Sequence, residues 1–155
     1  MSAQLAETPE DLLLERAVRE GRAGNLPFAG SLAPADAWAL VKAGRAVLVD
    51  VRSNEERKFV GYVPESVHVA WATGTALTRN PRFLRELEAK VGKSEVVLLL
   101  CRSGKRSAVA AEAATKIGFT AAFNVSEGFE GDLDGSGHRG QVGGWRLHGL
   151  KWTQD

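Results

Sequence analysis

The sequence predicts an α/β fold: a central parallel sheet flanked by helices on both faces. Residues 46–51 and 96–100 are short, continuously apolar runs, the pattern of strands buried on both faces. Around them, apolar residues recur at helical spacing. The helical stretches end at glycines, so strand and helix alternate along the chain.

Each element follows from its own residues. Thr8-Pro9-Glu10-Asp11 places a capping side chain, a first-turn proline and two acids where a helix begins. Leu13, Leu14, Ala17 and Val18 continue that helix, and Gly21 is expected to end it. Residues 22–33, rich in Gly and small side chains, read as a connecting loop. Pro34 opens a second helix with Trp38, Leu40 and Val41 on its apolar side and Gly44 at its end. Residues 46–51 form the first strand and residues 67–71 a shorter second one. Phe83, Leu84, Leu87 and Val91 mark a third helix, ended by Gly92. Residues 96–100 are the strongest buried strand. Residues 107–117 form a small-residue helix with Val109, Ala113 and Ile117 on one stripe, and residues 121–125 offer a last strand. Residues 126–149 hold eight glycines and are expected to form a long loop, with Trp145 and Trp152 pinning the tail to the body.

Composition narrows the function. With 155 residues and 44% hydrophobic content, the chain can bury a core of ordinary size. A net charge of +1 argues against a nucleic-acid module. One cysteine excludes an internal disulfide, a zinc ribbon and a dithiol redox pair. No apolar run is long enough to span a membrane, and the first residues lack the basic-then-apolar layout of a signal peptide. The expected setting is reducing and cytoplasmic. His68, His138 and His148 are scattered, so no metal site is expected, and no cofactor is called for. Asp132 and Asp134 suggest a calcium loop only faintly, since no late bidentate glutamate follows them.

In parallel sheets, ligands bind beyond the carboxyl ends of the strands. After the strongest strand stands Cys101-Arg102-Ser103-Gly104-Lys105-Arg106-Ser107. A tight loop there can turn successive N–H groups inward, and the following helix adds its positive end. Gly104 permits the unusual backbone this needs. Arg102, Lys105 and Arg106 add positive charge. A lone cysteine is ordinarily a small buried hydrophobe. In this setting the thiolate is favoured, which makes Cys101 a candidate nucleophile in an anion cradle. Asp50 and Arg52 also follow a strand; a structural ion pair and a contribution to the pocket's positive field are equally consistent with them.

Three stretches carry a family resemblance. They are Val49-Asp50-Val51-Arg52 with Glu55 or Glu56 and Gly61 after it, Val63-Pro64-Glu65-Ser66-Val67-His68, and the Cys101 loop. Spaced as they are over about residues 32–125, they resemble the rhodanese (sulfurtransferase) family. Asn124-Val125, Gly128 and the late Trp145 resemble that family's ending, with Glu127 in place of a glycine. The resemblance implies a rhodanese-like α/β fold with a central parallel sheet of about five strands. Residues 1–31 would be an N-terminal helical extension and residues 32–155 a single domain with a Gly-rich insertion at 126–149. It also implies sulfur transfer: Cys101 takes the outer sulfur of thiosulfate or a related donor as a persulfide and passes it to cyanide or a thiol. Arg102, Ser103, Gly104, Lys105, Arg106, Ser107 and Arg52 would bind substrate, with Asp50 in support. With no second cysteine, the acceptor must come from outside, and a sulfur-accepting protein is one such partner. A carrier that holds a persulfide for one protein partner is the alternative. A phosphatase or arsenate reductase fits less well, because those loops place Arg at the position of Ser107 and this chain has it one place early, at Arg106.

Overall fold

The computed structural model describes residues 8–155. Its central sheet contains β1 (Gly30–Leu32), β2 (Val47–Asp50), β3 (Val67–His68), β6 (Val97–Leu100) and β7 (Ala122–Val125), all parallel, in the spatial order β1-β7-β6-β2-β3. A separate hairpin pairs β4 (Ala72–Thr73) with β5 (Thr78–Arg79). The helices are α1 (Pro9–Ala23), α2 (Pro34–Lys42), α3 (Asn54–Val60), α4 (Phe83–Lys90) and α5 (Lys105–Lys116).

Strand residues alternate between two cores, because successive side chains point to opposite faces of a sheet. Val97 and Leu99 of β6 join Val49, Phe83 and Leu87 of α4, and Ala110, Ala111 and Ala114 of α5. Leu98 and Leu100 join Leu48, Ala17 of α1, Ala37 and Leu40 of α2, Phe129 and Trp145. Helices therefore cover both faces, as expected. The alanine stripe of α5 lets that helix lie close to the sheet.

Four details differ from the sequence reading. Helix α1 runs past Gly21 to Ala23. Gly21 is buried, and a Cβ there would lie 2.6 Å from Ala29 O, so this glycine admits a neighbouring chain instead of ending the helix. Residues 22–33 are not all loop: Gly30–Leu32 pairs with β7 as an edge strand. Residues 54–60, given no element by the sequence, form α3, capped by a reciprocal Ser53–Glu56 box. Helix α5 starts at Lys105, two residues before the expected Ser107, which shortens the catalytic-loop candidate.

Residues 126–149 contain no helix or strand. Trp145 is fully buried, sits edge-on to Trp38 at 5.9 Å, and donates its indole N–H to Lys151 O (2.9 Å). Trp152 is edge-on to Phe129, and the tail is held by a bridge between Tyr62 and Thr153. Both tryptophans anchor the C-terminal stretch. Trp71, the other tryptophan near a strand end, packs edge-on against Phe83 at 5.0 Å within the first core.

Candidate active site

Strand β6 delivers Cys101 to its carboxyl end, and α5 begins four residues after it. Gly104 is the junction: with φ +100° it turns the chain into the helix and points its N–H back, donating to Cys101 Sγ at 3.1 Å. Cys101 is 1% exposed. The Ser107 hydroxyl, one turn into α5, lies 3.2 Å from Sγ and 2.5 Å from Asn124 Oδ1. Asn124 Nδ2 donates to Gly104 O at 3.1 Å, closing a ring of polar contacts around the sulfur. The ring and the amino end of α5 both stabilise negative charge on sulfur.

The other predicted residues fall into distinct places. Lys105 is exposed at the helix start. Arg106 is bound by Glu56 through two contacts of 2.7 and 2.8 Å, which hold its guanidinium above the ordinary arginine range. Burial alone would push the Glu56 carboxyl up; Arg106 and the Ser53 N–H outweigh this and hold it below the usual glutamate range. Ser103 lies beneath Gly128, whose added Cβ would lie 2.6 Å from Ser103 N. Arg102 has its Nε buried without a hydrogen-bond partner. It lines a cleft of about 340 Å³ that also meets Ser53, Glu55, Glu56, Leu77, Glu130 and Arg139.

Asp50 and Arg52 form a separate group behind the loop. Both are 0% exposed. Arg52 Nη2 donates to Asp50 Oδ2 (2.7 Å) and to Gly61 O (2.8 Å), and its guanidinium stacks on Phe129 at 4.2 Å. Arg57 Nη1 reaches the same carboxylate at 2.8 Å. Desolvation would raise the Asp50 carboxyl; the two guanidinium groups override it and hold it below the aspartate range. The structure places Arg52 in a buried ion pair with Asp50, one of the two readings raised for it. His68 Nε2 donates to Arg52 O at 2.7 Å, and burial pushes its imidazole below the usual histidine range. Among the described residues no cluster of three or more His, Cys, Asp or Glu side chains could hold a metal ion.

Three participants escaped the sequence reading. Asn124, read from the sequence only as part of the family-like ending, is a polar residue inside a fully buried strand. Glu56 carries a signal: Ser53 and Glu56 have the spacing of a capping box. Glu127 stands at φ +67°, a left-handed backbone for a non-glycine residue, and its carboxylate accepts the Gly144 N–H at 2.9 Å. Behind the loop, Phe129 N donates to Cys101 O (2.8 Å) and Glu130 N to Arg102 O (2.9 Å).

A buried cysteine cradled between a parallel strand and a helix start is found in more than one enzyme class, so comparison with known proteins decides the family. The rhodanese-like domain family matches residues 33–133 of this chain. The chain belongs to that family. An uncharacterized protein of Rickettsia conorii is 34% identical over 119 residues, covering 73% of this chain and 87% of the relative. The crystal structure of Rv0390 from M. tuberculosis is 48% identical, with a TM-score of 0.74 over 83% of this chain and 99% of that one. The polysulfide-sulfur transferase homodimer of Wolinella succinogenes shares the fold, at 21% identity and a TM-score of 0.55, over 95% of this chain and 91% of its own. As a rhodanese-like protein, the chain has a central parallel α/β sheet with Cys101 at the carboxyl end of its most buried strand.

Proposed function

We propose that this rhodanese-like protein is a sulfurtransferase that works through a Cys101 persulfide, with thiosulfate or a related anion as donor. The observation that carries the reading is the cradle around Sγ: the Gly104 N–H at 3.1 Å and the Ser107 hydroxyl at 3.2 Å, at the amino end of α5. In the first half-reaction the Cys101 thiolate attacks the outer sulfur of thiosulfate. The donor's S–S bond breaks, and sulfite leaves with the electron pair. In the second, cyanide or a thiolate attacks the outer persulfide sulfur, and the electron pair returns to Cys101 Sγ. Two covalent half-reactions of this kind give ping-pong kinetics. The Gly104 N–H and the amino end of α5 stabilise the anionic sulfur in both, and the Ser107 hydroxyl does so when its one proton turns from Asn124 Oδ1 to the sulfur.

The remaining loop residues take different parts in this reading. Arg102 and Lys105 face the incoming anion, since no carboxylate pairs with either among the described residues. Arg106 fixes α5 to α3 through Glu56, and Asp50 with Arg52 braces the loop from behind. The cycle needs a reduced Cys101, which a cytoplasmic setting supplies.

Intact-mass measurement after incubation with excess thiosulfate tests the reading. The expected result is a gain of one sulfur atom, released by cyanide as thiocyanate and absent from Cys101→Ser, which keeps the wild-type circular dichroism spectrum. A folded Cys101→Ser protein that still forms thiocyanate, or a wild type that gains no sulfur, overturns it.

A further inference from the structure

Asn124 is a polar residue in an apolar setting. It stands in β7 beside Leu99 of β6, and its same-face neighbours Leu99 and Ala122 belong to the core under α5. It is 7% exposed. A buried amide normally has its polar atoms satisfied, and this one does. Nδ2 donates to Gly104 O at 3.1 Å, and Oδ1 lies 2.5 Å from Ser107 Oγ.

These two contacts fix where the protons of the group point. A backbone carbonyl only accepts, so the Gly104 oxygen requires the NH2 end of the amide. The Oδ1 end then faces Ser107, and because it too only accepts, the hydroxyl donates to it. That hydroxyl has a single proton. Cys101 Sγ, 3.2 Å from the same hydroxyl oxygen, competes for it. Ser107 is 0% exposed, so the proton goes to one of these two acceptors. The charge on Sγ decides which. A thiolate is an ionised acceptor, and hydrogen bonds to ionised groups are roughly twice as strong as neutral ones. In a persulfide the charge has moved to the outer sulfur, and Sγ becomes a neutral, weak acceptor.

Resting on the sulfur-transfer reading, we infer that Asn124 is a positioning residue for the Cys101 persulfide. It takes the Ser107 proton when Sγ is neutral and yields it when Sγ is anionic. As Sγ bonds to the outer sulfur of thiosulfate, sulfite leaves with the electron pair of the broken S–S bond, and the hydroxyl turns to Oδ1. When the acceptor removes the outer sulfur, the pair returns to Sγ and the hydroxyl turns back. The O–H bond stays whole throughout, so no proton leaves the group. The Ser107–Asn124 bond therefore favours the persulfide over the free thiolate, and it does so only through the hydroxyl.

An equilibrium measurement on the full chain tests this. Wild type, Asn124→Leu, Ser107→Ala and the double variant are incubated with thiosulfate and sulfite in varied ratio, and intact mass gives the fraction carrying the extra sulfur. The experiment is run at about pH 9, where a cysteine of ordinary pKa, about 8.5, is mostly thiolate. Asn124→Leu keeps the volume and removes Oδ1. It should reach half-conversion at a sulfite-to-thiosulfate ratio about tenfold lower than wild type, the scale of one hydrogen bond. In the Ser107→Ala background the same substitution should move that ratio by less than about twofold. A tenfold shift in both backgrounds makes Asn124 a structural support of the Gly104 turn and overturns the inference. An unchanged ratio in the wild-type background overturns it as well. Sulfur transfer stands in either case. If circular dichroism shows Asn124→Leu unfolded, Asn124→Ala, which removes the same polar atoms, takes its place in the cycle. A wild type that gains no sulfur at any ratio refutes the sulfur-transfer reading instead, and the role of Asn124 falls with it.

Discussion

The Asp50 carboxylate holds two arginines, and neither it nor Arg52 touches water. Removing the anion from such a group leaves buried positive charge without compensation, which typically costs about 3–5 kcal/mol. Asp50→Asn keeps the shape and removes the charge, so urea unfolding should show a loss of that size; a change below about 1 kcal/mol would mean that water already reaches the arginines. Gly128 is a second single-residue test. At φ +68° its added Cβ would lie 2.5 Å from the Arg102 carbonyl carbon and oxygen, in the backbone of the Cys101 loop. Gly137 has φ +81° and nothing within 4 Å. Gly137→Ala should therefore cost only the left-handed backbone penalty, about 1 kcal/mol. Gly128→Ala should cost more and abolish sulfur transfer, because the loop must move. Equal effects in thermal unfolding and thiocyanate assays would show that the close approach does not matter. The sequence made Cys101 and Gly104 legible, since a nucleophile and a left-handed turn each demand a residue type. It could not reveal that Asn124 reaches Ser107, because only the folded chain brings β7 beside the start of α5.

Helix α1 sets two effects of Gly21 against each other. An interior glycine normally costs a helix about 1 kcal/mol relative to alanine. Propensity alone therefore predicts that Gly21→Ala stabilises. The added Cβ would, however, meet the backbone oxygen of Ala29 at 2.6 Å, and this oxygen belongs to the segment leading into β1. Backbone cannot swing aside as a flexible side chain can. We expect Gly21→Ala to lower Tm, with α1 pushed off β1; an increase would show that helix propensity wins. The same competition explains why Gly21 looked like a helix end. Elements that bury a stripe of apolar residues, such as α4 and β6, were readable from periodicity alone. Helix α3 buries no residue fully and carries no stripe, so only its capping box announces it. Strand β1 is three residues long and takes its extended form from pairing with β7, which no local pattern encodes. Both lie close to function: α3 supplies Glu56 to Arg106 and Glu55 to the cleft, and β1 braces the strand that carries Asn124.

For the whole molecule, the shifted groups act in one direction. The carboxyls of Asp50, Glu56, Glu65 and Glu127 and the imidazole of His68 all titrate below their ordinary ranges in the folded chain. Over the interval between its folded and unfolded pKa, each group binds more protons in the unfolded chain than in the folded one. Stability then rises with pH across that interval and is lost as pH falls through it. Histidine comes first on acidification. Below about pH 6.5 the unfolded chain protonates at His68, while the folded chain keeps the imidazole neutral against the Arg52 carbonyl. Near pH 4 and below, the carboxylates of Asp50, Glu56, Glu65 and Glu127 add their loss. Arg106 is the one side chain shifted upward among the described residues, at a pH far above the working range. Tm should therefore be flat from pH 8 to about pH 7, decline gently towards pH 5, and drop steeply below pH 4. His68→Asn should remove the gentle decline and leave the steep one. Differential scanning calorimetry from pH 8 to pH 3 checks this. A Tm maximum on the acid side of pH 6 would reverse the expected sign and would mean that a group titrating in that range is shifted upward in the folded chain.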